Sequence, residues 1–389
     1  MFELELHERE QRHLLRSLVS VGSCQGPRVL LNGNEVILLC SNNYLGLAEH
    51  PALAKAAQQA LARDGAGTGA SRLVSGNMEF HEELERRIAE FKGSEAAILF
   101  NSGYAANTGV IPAVAGEGDI ILSDELNHAS IIDGCRLSRA RTVVYRHGDA
   151  DHLESLLKEH SSFRRKFIIT DGVFSMDGDI APLPDLVTLS ERYAAMLMVD
   201  DAHGTGVLGT RGRGTVEHFG LNGRVQIQMG TLGKALGSFG AYVAGDRGLI
   251  SYLLNTCRSY IFSTSLPPAV CAASIAALAL VDDEPWRRDR LRKNRERFAA
   301  GLLSRGISSG MSTTPIIPVI TGSAENATTV AHGLLAAGVF AAAIRPPSVP
   351  EGRSRIRTTV MATHSSDDID HAIVVFGDLK KKGLLPNER

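Results

Sequence analysis

The sequence predicts a doubly wound α/β core with a large, mostly parallel sheet, joined to a smaller carboxyl-terminal α+β unit. Three observations predict it. Short apolar runs alternate with helix-patterned stretches along most of the chain. Several of these runs are apolar throughout instead of alternating, as strands covered on both faces are. Beyond a long helical segment, Pro267 to Ser304, a short second group of strand patterns follows.

In order along the chain, strands are expected at Val36–Cys40, Ala96–Phe100, Ile120–Leu122, Thr142–Tyr145, Phe167–Thr170, Met196–Val199, Val225–Met229 and Ala241–Ala244. Helices lie between them. Leu84, Ile88 and Phe91 keep helical spacing, as do Ile369, Ile373 and Phe376. That last segment opens with Ser366-Asp367-Asp368 and closes with Lys380-Lys381-Lys382, charges that suit the helix dipole at each end. Pro267 to Ser304 reads as two helices broken near Asp282–Pro285, and the smaller unit adds strands near Ile316–Ile320, Val339–Ala343 and Arg355–Thr359. A length of 389 residues suits this division. We expect an amino-terminal arm over 1–50, a major domain over 51–283 and a small domain over 284–389.

Composition excludes several classes. With 41 basic and 43 acidic residues, bulk charge points to neither a nucleic acid nor a membrane surface as partner. The local run Arg287-Arg288-Asp289-Arg290 reads as a solvated helix face. The 5 cysteines are odd in number, scattered and without a Cys-x-x-Cys pair, so no disulfide framework, structural zinc or other metal is expected. The first residues lack a basic and apolar leader, and the longest apolar run, Ala269 to Val281, is too short to span a bilayer. A soluble, cytoplasmic protein is expected.

Five constellations could carry chemistry. Gly230-Thr231-Leu232-Gly233-Lys234-Ala235-Leu236-Gly237 places one lysine among small residues after an apolar run. An amine that forms an imine needs such open access and a neutral fraction, although a lysine in a surface turn would look similar. Leu197-Met198-Val199-Asp200-Asp201-Ala202-His203-Gly204 ends a strand in a carboxylate, with an imidazole three residues on. The pyridine nitrogen of pyridoxal phosphate needs such a carboxylate, and ligands in α/β sheets bind at the carboxyl ends of strands. The two aspartates could equally cap a turn. Overlapping them, Gly204 to Gly209 matches G-x-G-x-x-G, but Thr210-Arg211-Gly212-Arg213-Gly214 cannot open the helix that a dinucleotide site requires.

Phe100-Asn101-Ser102-Gly103-Tyr104-Ala105-Ala106-Asn107 passes from strand to helix, where free N–H groups suit a phosphate and Ser102 suits an ordinary N-cap. His128, in Leu126-Asn127-His128-Ala129-Ser130, begins a helix and could stack on an aromatic ring or serve the helix end alone. Alternation puts Arg353, Arg355 and Arg357 on one strand face, near Ala343-Ile344-Arg345-Pro346-Pro347-Ser348 in the same unit. A buried guanidinium there could hold a carboxylate, whereas a solvated edge strand would leave it idle.

Together the motifs resemble the α-oxoamine synthases, fold-type I pyridoxal-phosphate enzymes that condense an amino acid with an acyl thioester. The likeness runs from Ser41-Asn42-Asn43-Tyr44-Leu45-Gly46-Leu47 through Asp171-Gly172-Val173-Phe174-Ser175-Met176-Asp177-Gly178 and Val199 to Gly206, to Thr231-Leu232-Gly233-Lys234. Gly67 to Gly76, Phe262 to Pro268 and Ala343 to Pro350 are similar to the branch that joins L-alanine to a pimeloyl thioester of coenzyme A or a carrier protein. Asn127 to Gly134 and Gly230 to Gly237 are closer to the branch that uses glycine and acetyl-CoA. Ser348 and Tyr104 depart from the threonine and phenylalanine usual in the alanine branch.

The resemblance implies a role for each matching residue. Lys234 would hold the cofactor as a Schiff base, Asp200 would pair with its ring nitrogen, and His203 would bond its phenolic oxygen. His128 would stack on the ring and face the substrate. Ser102, Gly103, Tyr104 and Thr231 would hold the phosphate, Ser175 would lie near the ring, and Thr264 would reach a neighbouring subunit's phosphate. Arg357 with Asn42 would take the amino-acid carboxylate, and Arg16, Arg345 and Ser348 the acyl donor. The family also implies a homodimer with active sites at the interface.

Overall fold

A computed structural model describes residues 2–385. The first residue of the expected arm and the last four of the expected small domain therefore lie outside the described residues. The chain divides into two compact units, one of His50–Phe174 with Ile180–Pro285, the other of Met1–Glu49, Ser175–Asp179 and Trp286–Arg389.

In the first unit the described residues form a seven-stranded sheet, ordered Ala96–Phe100, Ala241–Gly245, Ile227–Thr231, Ala195–Asp200, Lys166–Asp171, Ile120–Asp124 and Arg141–Tyr145. Ala241–Gly245 is antiparallel to both its neighbours, and the remaining pairs are parallel. Side chains alternate between two cores. Phe167 and Ile169 enter a cluster with Ile111, Ile131 and Leu253, while Ile168 enters another with Leu157, Leu186 and Val187. Helices thus cover both faces, which is why these strands read as unbroken apolar runs. Each such Leu or Ile contributes about 1.5–3 kcal/mol on burial.

The strand ends position the chemistry. Asp124, Asp171, Asp200 and Thr231 each close a strand of the parallel set, at the edge where α/β sheets bind ligands. The helix Glu79–Lys92 buries Leu84, Ile88 and Phe91 and stops at Gly93, whose φ of 65° is left-handed.

The second unit contains two small sheets among its described residues. In one, a hairpin joins Arg28–Leu31 to Asn34–Leu38, and Val339–Phe340 adds in parallel. The strand Arg28–Leu31 was not expected. Its signal is Asn32-Gly33, a two-residue turn with φ of 50° and 81°, the combination that favours a tight hairpin. In the other sheet Ser354–Thr359 lies between Ile316–Gly322 and Ala342–Ile344. The single strand expected over Val339–Ala343 is two, because the chain leaves one sheet and enters the other around Ala341.

Helix Ser366–Lys381 carries a Ser365–Asp368 capping box and packs Phe376 edge-on against Phe298 of helix Trp286–Leu303. Arg287 corrects the reading of its run as solvated: it is buried, donates to the Leu45 carbonyl at 2.9 Å and lies over the Trp286 ring. Arg353 is exposed and precedes the strand, whereas Arg355 and Arg357 are buried in the middle strand instead of lining an edge. Of the cysteines, all free, Cys135, Cys257 and Cys271 are buried and Cys24 is exposed. Among the described residues no helix is long and apolar enough to cross a membrane.

Candidate active site

The Lys234 amine lies 2.9 Å from His203 Nε2. The turn carrying it follows strand Ile227–Thr231 and is closed by Gly237 N–H to the Lys234 carbonyl at 2.9 Å. Thr231 stiffens the same turn, donating to the Gly240 carbonyl at 3.0 Å and accepting from Gly233 N–H at 3.2 Å.

Asp200 and Asp201 are neighbours with separate tasks. Asp200 Oδ1 accepts from Ala202 N–H at 3.0 Å and Oδ2 from the Asn107 amide at 2.7 Å, with the residue 3% exposed. Asp201 turns the other way. It meets the buried Lys92 amine at 3.1 Å and accepts from the Thr215 hydroxyl at 2.9 Å. A side chain on Gly204 or Gly214 would collide with Asp201, so both glycines let the loop close over it. Both carboxylates bond backbone N–H groups, Asp200 that of Ala202 in the turn and Asp201 that of Thr215.

Around Asp200 the charges are crowded. Asp171 is its register partner on the next strand, and burial, then the Asp200 charge, hold the Asp171 carboxyl well above the usual carboxylate range. His128 caps helix Ala129–Leu137, with its Nδ1 accepting from Ser130 N–H at 3.2 Å and lying 2.7 Å from the Ser130 hydroxyl. Desolvation lowers the His128 pKa, opposed by Asp200 and assisted by Lys234.

At the start of helix Gly103–Val114, Ser102 caps Ala105 N–H at 3.1 Å, and the N–H groups of Gly103 and Tyr104, in the first turn, have no partner within the helix. A Cβ on Gly103 would come within 2.9 Å of the Met229 methyl, the far end of a flexible side chain. The Tyr104 phenol donates to Asp133, so the phenol is engaged away from its own backbone. Thr264 pairs with Ser71 in an isolated bridge, and its carbonyl accepts from Asn101 at 2.9 Å. This donor set fits pyridoxal phosphate: an amine for its carbonyl, a buried carboxylate for its nitrogen, a helix start for its phosphate.

In the second unit Arg357 Nε donates to the Ser175 carbonyl at 2.5 Å, and Nη2 to Asn42 Oδ1 at 3.1 Å. Arg355 grips the same short segment through the Met176 carbonyl at 3.1 Å and Asp177 at 2.5 Å. Arg16 Nη2 reaches the Ser348 hydroxyl at 3.5 Å, and Arg345 donates to the carbonyls of His13 and Leu15. Burial and the adjacent Arg16 cation push Arg345 below the ordinary guanidinium value.

A family model for aminotransferase class I and II matches residues 34–376. The chain belongs to that family. Within it, the α-oxoamine synthase likeness extends over the full length. The chain is 55% identical over 380 residues to an 8-amino-7-oxononanoate synthase of Geobacter sulfurreducens, covering 97% of each. It superposes on a structure of SPT with PLP at a TM-score of 0.94 and 31% identity, covering 99% of this chain and 98% of that one. The 8-amino-7-oxononanoate synthase of Francisella tularensis gives 0.78 and 27%, covering 90% and 99%.

Three residues of this family member had no expected role. Asn107 and Asp171 lay within quoted motifs, and Asn127 beside His128, yet their amides and carboxylate meet partners far along the chain. Asn127 bridges the Ile169 carbonyl at 2.8 Å and Asp171 N–H at 2.8 Å.

Proposed function

We propose that this protein condenses L-alanine with a pimeloyl thioester, giving 8-amino-7-oxononanoate, carbon dioxide and the free thiol, with pyridoxal phosphate as cofactor. One observation carries the reading: the Lys234 amine, 2.9 Å from His203, belongs to a chain 55% identical to an 8-amino-7-oxononanoate synthase.

Pyridoxal phosphate, when bound, supplies a carbonyl that links to amines and a ring that withdraws electrons from the carbon so attached. Lys234 would hold it, and its amine would serve as the base that takes the proton from the alanine Cα and returns one after carbon dioxide leaves. Asp200 holds a proton at the pyridine nitrogen, since a buried carboxylate there favours the cationic ring. His203 would donate to the phenolic oxygen, and His128 would stack on the ring and exclude water from that face. Ser102, Gly103, Tyr104 and Thr231 would bind the phosphate, and Thr264 would reach the phosphate of the neighbouring subunit. Arg357 with Asn42 would bind the alanine carboxylate, Ser175 would serve the ring, and Arg16, Arg345 and Ser348 would bind the acyl donor.

The protein acts as a homodimer. Support comes from large apolar side chains open to solvent in the described chain, among them Val74 at 80% and Phe262 at 71% exposure, flanking the Ser71–Thr264 bridge. Its unpaired cysteines suit the reducing cytoplasm.

The second reading, glycine with acetyl-CoA, draws on Asn127 to Gly134 and Gly230 to Gly237. Thiol release measured with alanine and with glycine, each against pimeloyl- and acetyl-CoA, separates the two. Turnover of alanine with the pimeloyl donor is expected. Turnover confined to glycine, or a purified protein that takes up no added pyridoxal phosphate, would overturn the proposal.

A further inference from the structure

Asn107 lies wholly inside the first unit, 0% exposed, on the second turn of the helix that begins at Gly103. An asparagine in an apolar helix interior is costly unless its amide is used. Here the amide is used twice. Nδ2 donates to Asp200 Oδ2 at 2.7 Å and to the Ser130 hydroxyl at 2.9 Å. The Ser130 hydroxyl in turn lies 2.7 Å from His128 Nδ1. With Nδ1 also accepting from Ser130 N–H, the hydroxyl proton points to the ring, and the neutral ring carries its proton on Nε2. Four side chains therefore form one chain of directed bonds: Asp200, Asn107, Ser130, His128.

The amide oxygen of Asn107 is buried and has no partner. Turning the amide over would bring that oxygen against the Asp200 carboxylate, so the Asp200 bond selects the orientation with Oδ1 unpartnered. A residue retained for filling space alone would not carry this penalty. Two bonds aimed at the groups that bracket the cofactor ring explain it.

We propose that Asn107 is a positioning residue for the cofactor: it aims the Asp200 carboxylate at the pyridine nitrogen and, through Ser130, fixes the plane and proton of the His128 ring. The inference rests on the reading that pyridoxal phosphate binds this site. The carboxylate has two oxygens, and with Oδ1 tied to Ala202 N–H and Oδ2 to Asn107 its plane cannot rotate. Removal of the amide frees that rotation and unties His128.

The test compares Asn107→Asp, Asn107→Ala and Ser130→Ala with the unaltered protein. Cofactor is removed, apoprotein folding is checked by circular dichroism, and pyridoxal phosphate is titrated back with its visible absorption recorded. Asn107→Asp keeps the shape but replaces a donor with an acceptor. It should bind the cofactor at least about tenfold more weakly, with a displaced absorption maximum, and Asn107→Ala should fall between it and the unaltered protein. Thiol release by the reloaded Asn107→Ala should lose kcat more than it raises the KM for alanine. Ser130→Ala should change the His128 ring resonances while leaving cofactor affinity nearer normal. An Asn107→Asp protein with unaltered affinity and spectrum would overturn the inference. If Asn107→Asp does not fold, Asn107→Ala decides, and affinity within about twofold of the unaltered protein overturns it. Failure of the unaltered protein to bind the cofactor would instead sink the functional reading itself.

Discussion

Lys92 Nζ and Asp201 Oδ2 meet at 3.1 Å, and the two side chains are 1% and 0% exposed. The pair anchors the residue next to Asp200, so its strength bears on how firmly the cofactor carboxylate is placed. Breaking one side of such a buried pair costs about 3–5 kcal/mol, because the surviving charge stays desolvated. Asp201→Ala should therefore lower the unfolding free energy by roughly that amount. The Lys92→Met, Asp201→Ala double variant should lose less than the two single losses added together. Denaturant titration of the three variants checks this, and a loss below about 1 kcal/mol for Asp201→Ala would contradict it.

Lys234→Ala removes the amine beside His203 and leaves the fold around it intact. The purified variant should lack the long-wavelength absorption that the unaltered protein shows with bound cofactor, and thiol release should fall by several orders of magnitude. Persistence of the band would move the covalent role to another lysine.

Arg357→Lys keeps the charge and loses the planar fork that spans Ser175 and Asn42. Its KM for alanine should rise by about tenfold or more, with the KM for the acyl thioester changed far less. Steady-state kinetics in each substrate distinguishes this from general damage, which would raise both alike.

His364 offers a pH test within the second unit. Its ring is buried, with Nδ1 accepting from Met361 N–H at 2.9 Å and Nε2 lying 3.1 Å from the Leu38 carbonyl. Burial pushes its pKa down to about 4 from 6.5. The unfolded chain consequently binds the proton first as pH falls, so this histidine costs stability between about pH 6.5 and 4, up to roughly 3 kcal/mol. His364→Asn does not titrate. The stability advantage of the unaltered protein over the variant should shrink across that interval, and a constant difference from pH 7.5 to 4.5 would refute the assignment.

Much of the sheet was readable because burial on both faces leaves strands apolar end to end. Ala96–Phe100 lies where the pattern put it, most of the others gain one or two residues at their ends, and the strand expected at Val225–Met229 runs two residues later, over Ile227–Thr231. Polar strand ends escape such a pattern: Asp124, Asp171 and Thr231 belong to strands but interrupt the apolar runs. Lys234, Asp200, His203 and His128 could be singled out because each sits in a local motif. Asn107 could not, since its meaning depends on Asp200, 93 residues away. Arg287 was misread for the same reason: an arginine beside other charges reads as solvated until its distant carbonyl partner at Leu45 is known.

Val339 pairs with Ile37 in the sheet that the Asn32-Gly33 hairpin begins. About 300 residues separate them, and at ribosomal speeds of roughly 5–20 residues per second the early hairpin waits on the order of 15–60 s for its third strand. Throughout that interval Leu38 and its neighbours present an open β edge to the nascent-chain environment. Until Val339 arrives, that edge is open to pairing with any other extended strand.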